Sequence, residues 1–373
     1  MAAVMIAITA CGGEEAAPAP STRTTLDDSE WSRAQRLEAL LSTLAADSME
    51  GRRTGSAGAH RAAGFLAAEL ERYGVEPAGD EGGYLQTVPM ARMTEETDNG
   101  VRERMVMEID YEDWDALPPE SVIVSESNVI GIIRGADPEV ANEAIVVGAH
   151  FDHVGIGRPV SDAAGVPDSI YNGADDDGSG TVTVMELARQ FQGLYQKGMK
   201  PRRSVLFMNV VGEEKGLLGS QHYVENPVFS LENTVANLNV DMIGRVDEAH
   251  AKDENYVYLI GSDKLSSTLH ELSEEANRTS VQLALDYTFN DPDDPNRYYY
   301  RSDHYNFAKN NIPVIFYFTG VHEDYHQPGD DVEKIRFTKM SKIGKLIFHT
   351  AWDIANRDER PAVDKVNDFP SDR

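Results

Sequence analysis

Imidazole and carboxylate side chains recur in this chain just past apolar runs. His150 follows IVVGA, Glu213 and Glu214 follow VLFMNVVG, Asp241 follows VANLNV, and His326 lies a few residues beyond VIFYFTG. Each run reads as a buried strand, so these groups collect past strand C-terminal ends, where open α/β sheets place their sites. Another acid lies in GADDDGSG, residues 173–180, in a Gly-flanked turn directly before the helical run TVTVMELARQFQGL. A helix N-terminus favours anions there. Burying several carboxylates at one end of a sheet is costly unless cations compensate them, and metal ions are the natural compensation. Singly, these signals are weak. A lone His after a strand is more often a packing residue, an Asp triplet a turn or cap, and paired glutamates a solvated surface. Their order after successive strands carries the reading.

The elements that must position these groups alternate along the chain. Apolar runs at 128–133, 144–149, 204–211, 235–240, 256–260 and 313–318 read as strands, and helical patterns at 181–194, 265–276 and 304–310 fall between them. Two helices precede this alternation. One begins at Trp31 with Leu37, Leu40, Leu41 and Leu44 on one face, and one runs from about 57 to 73 and stops at Gly74. The pattern predicts an α/β fold, a three-layer αβα sandwich around a mostly parallel central sheet. Residues 95–120 and 281–300 are polar and irregular and read as surface excursions.

The same motifs, in this order, resemble the M28 family of zinc peptidases, the aminopeptidase Y-like cocatalytic exopeptidases. The resemblance runs through EGRRTGSAG near residue 50, NVIGIIRG at 128–135, GAHFDHVG at 148–155, YNGADDDGSG at 171–180, GEEKGLLGS at 212–220, NVDMIG at 239–244, SDHYNF at 302–307 and DYHQPGDD at 324–331. It implies the zinc exopeptidase (phosphorylase/hydrolase-like) fold and two Zn²⁺ per chain. By that resemblance His150 and Asp241 hold one zinc, Glu214 and His326 the other, and Asp176 bridges them. Glu213 is then the general base and acid acting through a metal-bridging hydroxide. Asp152 orients His150 from behind, and Tyr325 assists the oxyanion. The family's cis peptide bond falls at Asp176–Asp177. The implied activity is that of an aminopeptidase on peptide substrates. The alternatives are a carboxypeptidase or dipeptidase on the same scaffold, a glutaminyl cyclase-like enzyme, and a non-catalytic peptide-binding lipoprotein. Tyr298, Tyr299, Tyr300 and Arg301 are candidates for the pocket, where an Arg can grip a C-terminal carboxylate. His153 and His304 lie near the site and are candidates for substrate contact. The remaining histidines read as surface or packing residues.

Other signals mislead. His322-Glu323-Asp324-Tyr325-His326 matches H-E-x-x-H, which needs a helix to bring both His onto one face; here it follows Gly320 and runs into Gln327-Pro328-Gly329. Read as a calcium loop, GADDDGSG puts Gly173 and Val184 where oxygen donors belong. No G-x-S-x-G occurs.

Composition bounds the rest. The chain has 373 residues, 41% of them apolar, enough for a sizeable core. Acids outnumber bases 63 to 34, a net charge of −29 that argues against nucleic acid or anionic membrane as a partner. The single cysteine, Cys11, precludes an internal disulfide. It ends the apolar run MAAVMIAITA, and Ile8-Thr9-Ala10-Cys11 resembles a lipobox. The division is therefore a lipoprotein signal peptide at 1–11 ending at a lipidated Cys, a flexible tether at 12–30, the peptidase domain at 31–356 and a polar C-terminal tail at 357–373. This predicts an exported bacterial lipoprotein, periplasmic or anchored to the outer membrane, with the N-terminal lipid as its only membrane attachment. The oligomeric state is left open.

Overall fold

The computed structural model describes residues 29–97, 100–107, 117, 121–161 and 165–367. The lipobox at Cys11, nearly all of the tether and the end of the tail lie outside them. Within them the strands are β1 (Glu76–Pro77), β2 (Leu85–Thr97), β3 (Gly100–Met107), β4 (Val122–Ile133), β5 (Ala144–His150), β6 (Gly155–Ser161), β7 (Pro167–Tyr171), β8 (Ser204–Val210), β9 (Thr234–Val240), β10 (Tyr256–Ile260), β11 (Ala284–Asp286) and β12 (Val314–Phe318). The helices are α1 (Glu30–Leu44), α2 (Ala57–Tyr73), α3 (Gly180–Gln196), α4 (Leu218–Glu225), α5 (Ser267–Ser280), α6 (His304–Lys309) and α7 (Phe337–Asn356).

Continuous apolar runs become strands covered on both faces. Every residue of β5, β8 and β9 is buried. They form the centre of a ten-stranded sheet ordered β11-β10-β12-β9-β5-β8-β4-β2-β3, with β1 on β4. The pairs β8–β5, β5–β9 and β9–β12 are parallel, as the alternation predicts. The sheet as a whole is mixed, because β4, β2 and β3 add antiparallel on one side and β10 pairs antiparallel with β12 on the other. Helices α1, α2, α3, α5 and α7 pack their apolar faces on one side of the sheet, and α4 and α6 on the other. The three-layer expectation thus holds.

Two differences have plain causes. Residues 95–97 and 100–107, expected to be irregular, belong to the long hairpin β2–β3; its alternating Thr, Glu, Arg and Met side chains suit a half-exposed sheet and hid the strand among polar residues. Helix α7, absent from the predicted elements, covers the sheet with Met340, Ile343, Leu346, Ile347 and Ile354.

Helix ends are set by local chemistry. The Ser56 hydroxyl accepts from the Ala59 N–H to start α2, and Gly74 at φ 76° ends it. Gly180 starts α3 under a tighter demand. A Cβ there would stand 2.2 Å from the Val240 carbonyl oxygen and 2.4 Å from the Asp177 carboxylate. Only glycine lets the helix start approach β9 this closely, and that approach brings the Asp triplet to the strand tips.

Candidate metal centre

The strand tips deliver two groups of donors that share one residue. His150 ends β5, Asp241 follows β9, and the Glu213–Glu214 pair follows β8. The Asp triplet occupies the turn before α3, and His326 lies in the loop after β12. His150 Nε2 stands 3.4 Å from Asp176 Oδ1, 3.6 Å from Asp241 Oδ2 and 3.9 Å from Glu213 Oε2. On the other side of the Asp176 carboxylate, His326 Nε2 stands 3.0 Å from Asp176 Oδ2 and 3.1 Å from Glu214 Oε1. Asp176 therefore offers one oxygen to each side. All five residues expected as ligands converge here, with Glu213 beside His150 and Asp241 on the wall of the cleft. The Asp176–Asp177 peptide bond is cis.

The triplet divides its labour. Asp175 Oδ1 accepts from the Gly244 N–H at 2.6 Å, and its Oδ2 meets His322 Nε2 at 3.3 Å. Asp177 accepts the main-chain N–H groups of His150, Gly180 and Met242, tying the tips of β5 and β9 to the start of α3. Only the middle carboxylate is left for the donor cluster.

Asp152 differs from its expected contact. The group that meets His150 Nδ1 is its main-chain carbonyl, at 3.1 Å, while its carboxylate stands 3.8 Å away. That carboxylate accepts from the Thr54 hydroxyl at 2.6 Å and the Glu213 N–H at 3.1 Å. Asp152 therefore fixes the glutamate pair through its carboxylate and the histidine through its main chain. Tyr325 lines the cleft and stacks on His326, with ring centroids 4.0 Å apart. Burial, with Asp176 and Glu214 nearby, raises its hydroxyl pKa, so the phenol keeps its proton.

Electrostatics separates the adjacent glutamates. Burial pushes Glu213 well above the ordinary carboxylate range; Glu214 and Asp241 add to the rise and His150 opposes it. Burial and Asp176 also disfavour the charge on Glu214, but His153 and His326 outweigh them and hold it at about 2. Asp176 is likewise held well below its usual value against burial, by His150 and His326. His326 rises to about 10 because Asp176 and Glu214 overcome its burial.

The cleft beside the cluster is lined by His150, Asp176, Glu213, Asp241, Met242, Tyr298, Arg301, Ser302, Phe318, Val321 and Tyr325. Of the four pocket candidates, Tyr298 and Arg301 reach it. Tyr299 instead packs in the core against His304. His304 is itself wholly buried, stacked on Phe316, and pushed down to about 3 by burial, so it is a packing residue rather than a substrate contact. The H-E-x-x-H residues lie in turns, with His322 on Asp175 and Glu323 exposed.

Sequence reasoning missed several residues that shape the site. Buried Arg52 donates to the carbonyls of Leu44, Phe151, Asn172 and Gly173, joining the loops behind the cluster. Asp330 accepts from the Asp175 and Asp176 N–H groups. The Ser302 hydroxyl donates to Asp241 Oδ2 at 2.7 Å. All three lie inside motifs that carried the resemblance, but hydrogen bonds to main chain leave no spacing signal. His153 was read as a possible substrate contact, yet it is wholly buried among the second group of donors, 3.1 Å from Glu214 Oε1.

Comparison with known proteins agrees with this geometry. A probable leucine aminopeptidase of Arthroderma otae is 29% identical over 229 residues, 60% of this chain and 57% of that protein. A probable glutamate carboxypeptidase of Arabidopsis thaliana is 36% identical over 123 residues, 33% of this chain and 15% of that protein. The chain thus matches little more than half the length of the leucine aminopeptidase. The aminopeptidase from Aneurinibacillus sp. strain AM-1 shares the fold at 16% identity and a TM-score of 0.61, covering 93% of this chain and all of that one. The model for peptidase family M28 matches residues 128–351, which hold every one of the converging donors, and the chain belongs to that family.

Proposed function

We propose that this chain is a two-zinc aminopeptidase. The observation that carries the reading is the Asp176 carboxylate, whose two oxygens face two separate donor groups. Mixed imidazole and carboxylate donors suit zinc. The buried Glu214 Oε1 and both ring nitrogens of His153 make no well-aligned hydrogen bond, as expected of atoms reserved for a cation. His150, Asp176 and Asp241 would hold one ion; Asp176, Glu214 and His326 would hold the other. Bound there, zinc supplies Lewis acidity and a water-derived nucleophile near neutral pH. Glu213, beside His150 and open to the cleft, takes the proton from water and returns it to the leaving amine. The carboxylate of Asp152 holds the Glu213 main chain in place for both transfers. Tyr325 presents a protonated hydroxyl to the developing oxyanion.

A second reading, a carboxypeptidase or dipeptidase, is favoured by one observation: Arg301 lines the same cleft, where a guanidinium can pair with a terminal carboxylate. Peptides blocked at either end separate the two, with metal content measured in parallel. Cleavage that needs a free amino terminus, with two zinc ions bound, supports the aminopeptidase. Cleavage that needs a free carboxylate moves the assignment to the second reading, and a protein that binds no zinc overturns both. Export and lipid anchoring through Cys11 stay a proposal resting on the sequence alone.

A further inference from the structure

The five ligands implied by the family resemblance do not include His153, yet this residue has the stereochemistry of a ligand. It is wholly buried. Its ring packs so tightly on Gly173 that a Cβ there would stand 2.5 Å from Cγ and Cδ2. Nδ1 lies 3.1 Å from Glu214 Oε1 and 3.7 Å from Asp176 Oδ2. Neither ring nitrogen makes a well-aligned hydrogen bond, and Nδ1 meets only carboxylate oxygens of this same cluster; an imidazole this deep with no aligned partner is costly unless something else binds it. His153, Asp176, Glu214 and His326 each place a donor atom within 4.8 Å of the others. Donors about 2.0–2.2 Å from a tetrahedral zinc stand roughly 3.3–3.6 Å apart, close to the 3.0–3.7 Å between each of the two imidazoles and each of the two carboxylates.

The cleft separates the two groups. Its lining takes His150, Glu213 and Asp241 from one, but only the shared Asp176 from the other. Sites with four protein donors are closed, whereas three-donor sites keep a position open for water or substrate. We infer that His153 is a direct fourth ligand of the ion held by Glu214 and His326, making that site a closed, tightly retained one and leaving the His150–Asp241 site as the exchangeable one facing substrate. This rests on the two-zinc reading above.

The test compares the whole protein with its His153→Ala and His153→Asp variants, by zinc content under chelator competition and by the visible absorption of the Co²⁺-loaded forms. The wild type should hold two zinc ions of unequal affinity. His153→Ala should weaken the tighter one by more than about 100-fold, beyond the 10–100-fold typical of partners that merely orient a ligand. His153→Asp, which restores an oxygen donor, should recover part of that loss with an altered Co²⁺ spectrum. If the Ala variant does not fold, the Asp variant decides. A folded variant that keeps both zinc affinities and the wild-type Co²⁺ spectrum overturns the assignment of His153 and leaves the two-zinc reading standing. A wild type that binds no zinc removes both.

Discussion

Helix α3 carries two clusters of buried charge, and they are solved in opposite ways. Midway along it, Glu186 is ringed by Arg36 at 2.9 Å and Arg189 at 2.7 Å, and these two guanidiniums hold its carboxyl below the usual range despite burial. At its N-terminal end, Asp176, Glu213, Glu214 and Asp241 face three histidines and no arginine or lysine within ion-pair distance among the described residues. The first cluster is complete within the protein. The second carries up to four negative charges, which two divalent ions would match. Buried carboxylates matched by arginines are architecture; buried carboxylates that face only histidines, themselves metal-binding groups, define a place for an external cation.

The largest expected effect breaks the second cluster at its proton carrier. Glu213→Gln should lower kcat by about 10⁴-fold, the upper end for a group that serves both proton transfers, while metal analysis still finds two zinc ions. Retained turnover would remove Glu213 from the mechanism.

Removing the cations comes next. With free zinc about 1,000-fold above its dissociation constant, linkage gives about 4 kcal/mol of stability. Chelation should therefore lower the melting temperature of the wild-type protein. It should lower that of Glu186→Gln by a similar amount, because the two clusters do not share a partner. A chelator with no effect on melting would mean the carboxylates are compensated without metal.

Glu186→Gln itself should cost about 3 kcal/mol, since it leaves two arginines facing a neutral group in a largely buried site. The sign with pH follows from the lowered carboxyl. Its contribution is present above the ordinary value of 4.5 and is lost as pH falls through the lower folded value. Denaturation followed from pH 7 to 3 should show the gap between variant and wild type closing below about 4.5. A gap that is constant with pH would assign the loss to packing.

The contrast between the clusters also explains what was legible in the sequence. Strand-tip donors announce themselves, because an apolar run followed by His150 or Asp241 is a one-dimensional signal of a three-dimensional position. The apolar run at 256–260 coincides with β10 to the residue, because its bounds are set by the polar residues on either side. Arg52, Asp330 and Ser302 were illegible, since each acts through hydrogen bonds across 60 or more residues of chain. The burial of His153 was equally hidden: one residue past Asp152 it reads as part of a loop, and only the packing on Gly173 shows it turned inward.

The smallest effect concerns the open side of the cleft, where neither cluster dictates the outcome. Arg301 is solvent-exposed and lies over the Tyr298 ring, 5.1 Å from its centroid, so it is placed by stacking rather than by an ion pair. A guanidinium held this way is available to a substrate carboxylate, but solvent screening limits what it contributes. Arg301→Gln should therefore raise KM by about tenfold, roughly 1.4 kcal/mol, for substrates with a carboxylate that reaches this side, and leave kcat within about twofold. Substrates with a neutral group there should be unaffected. Equal loss on both would show that Arg301 acts by shaping Tyr298 and Tyr325 rather than by its charge, and would take from the carboxypeptidase reading the one observation that favours it.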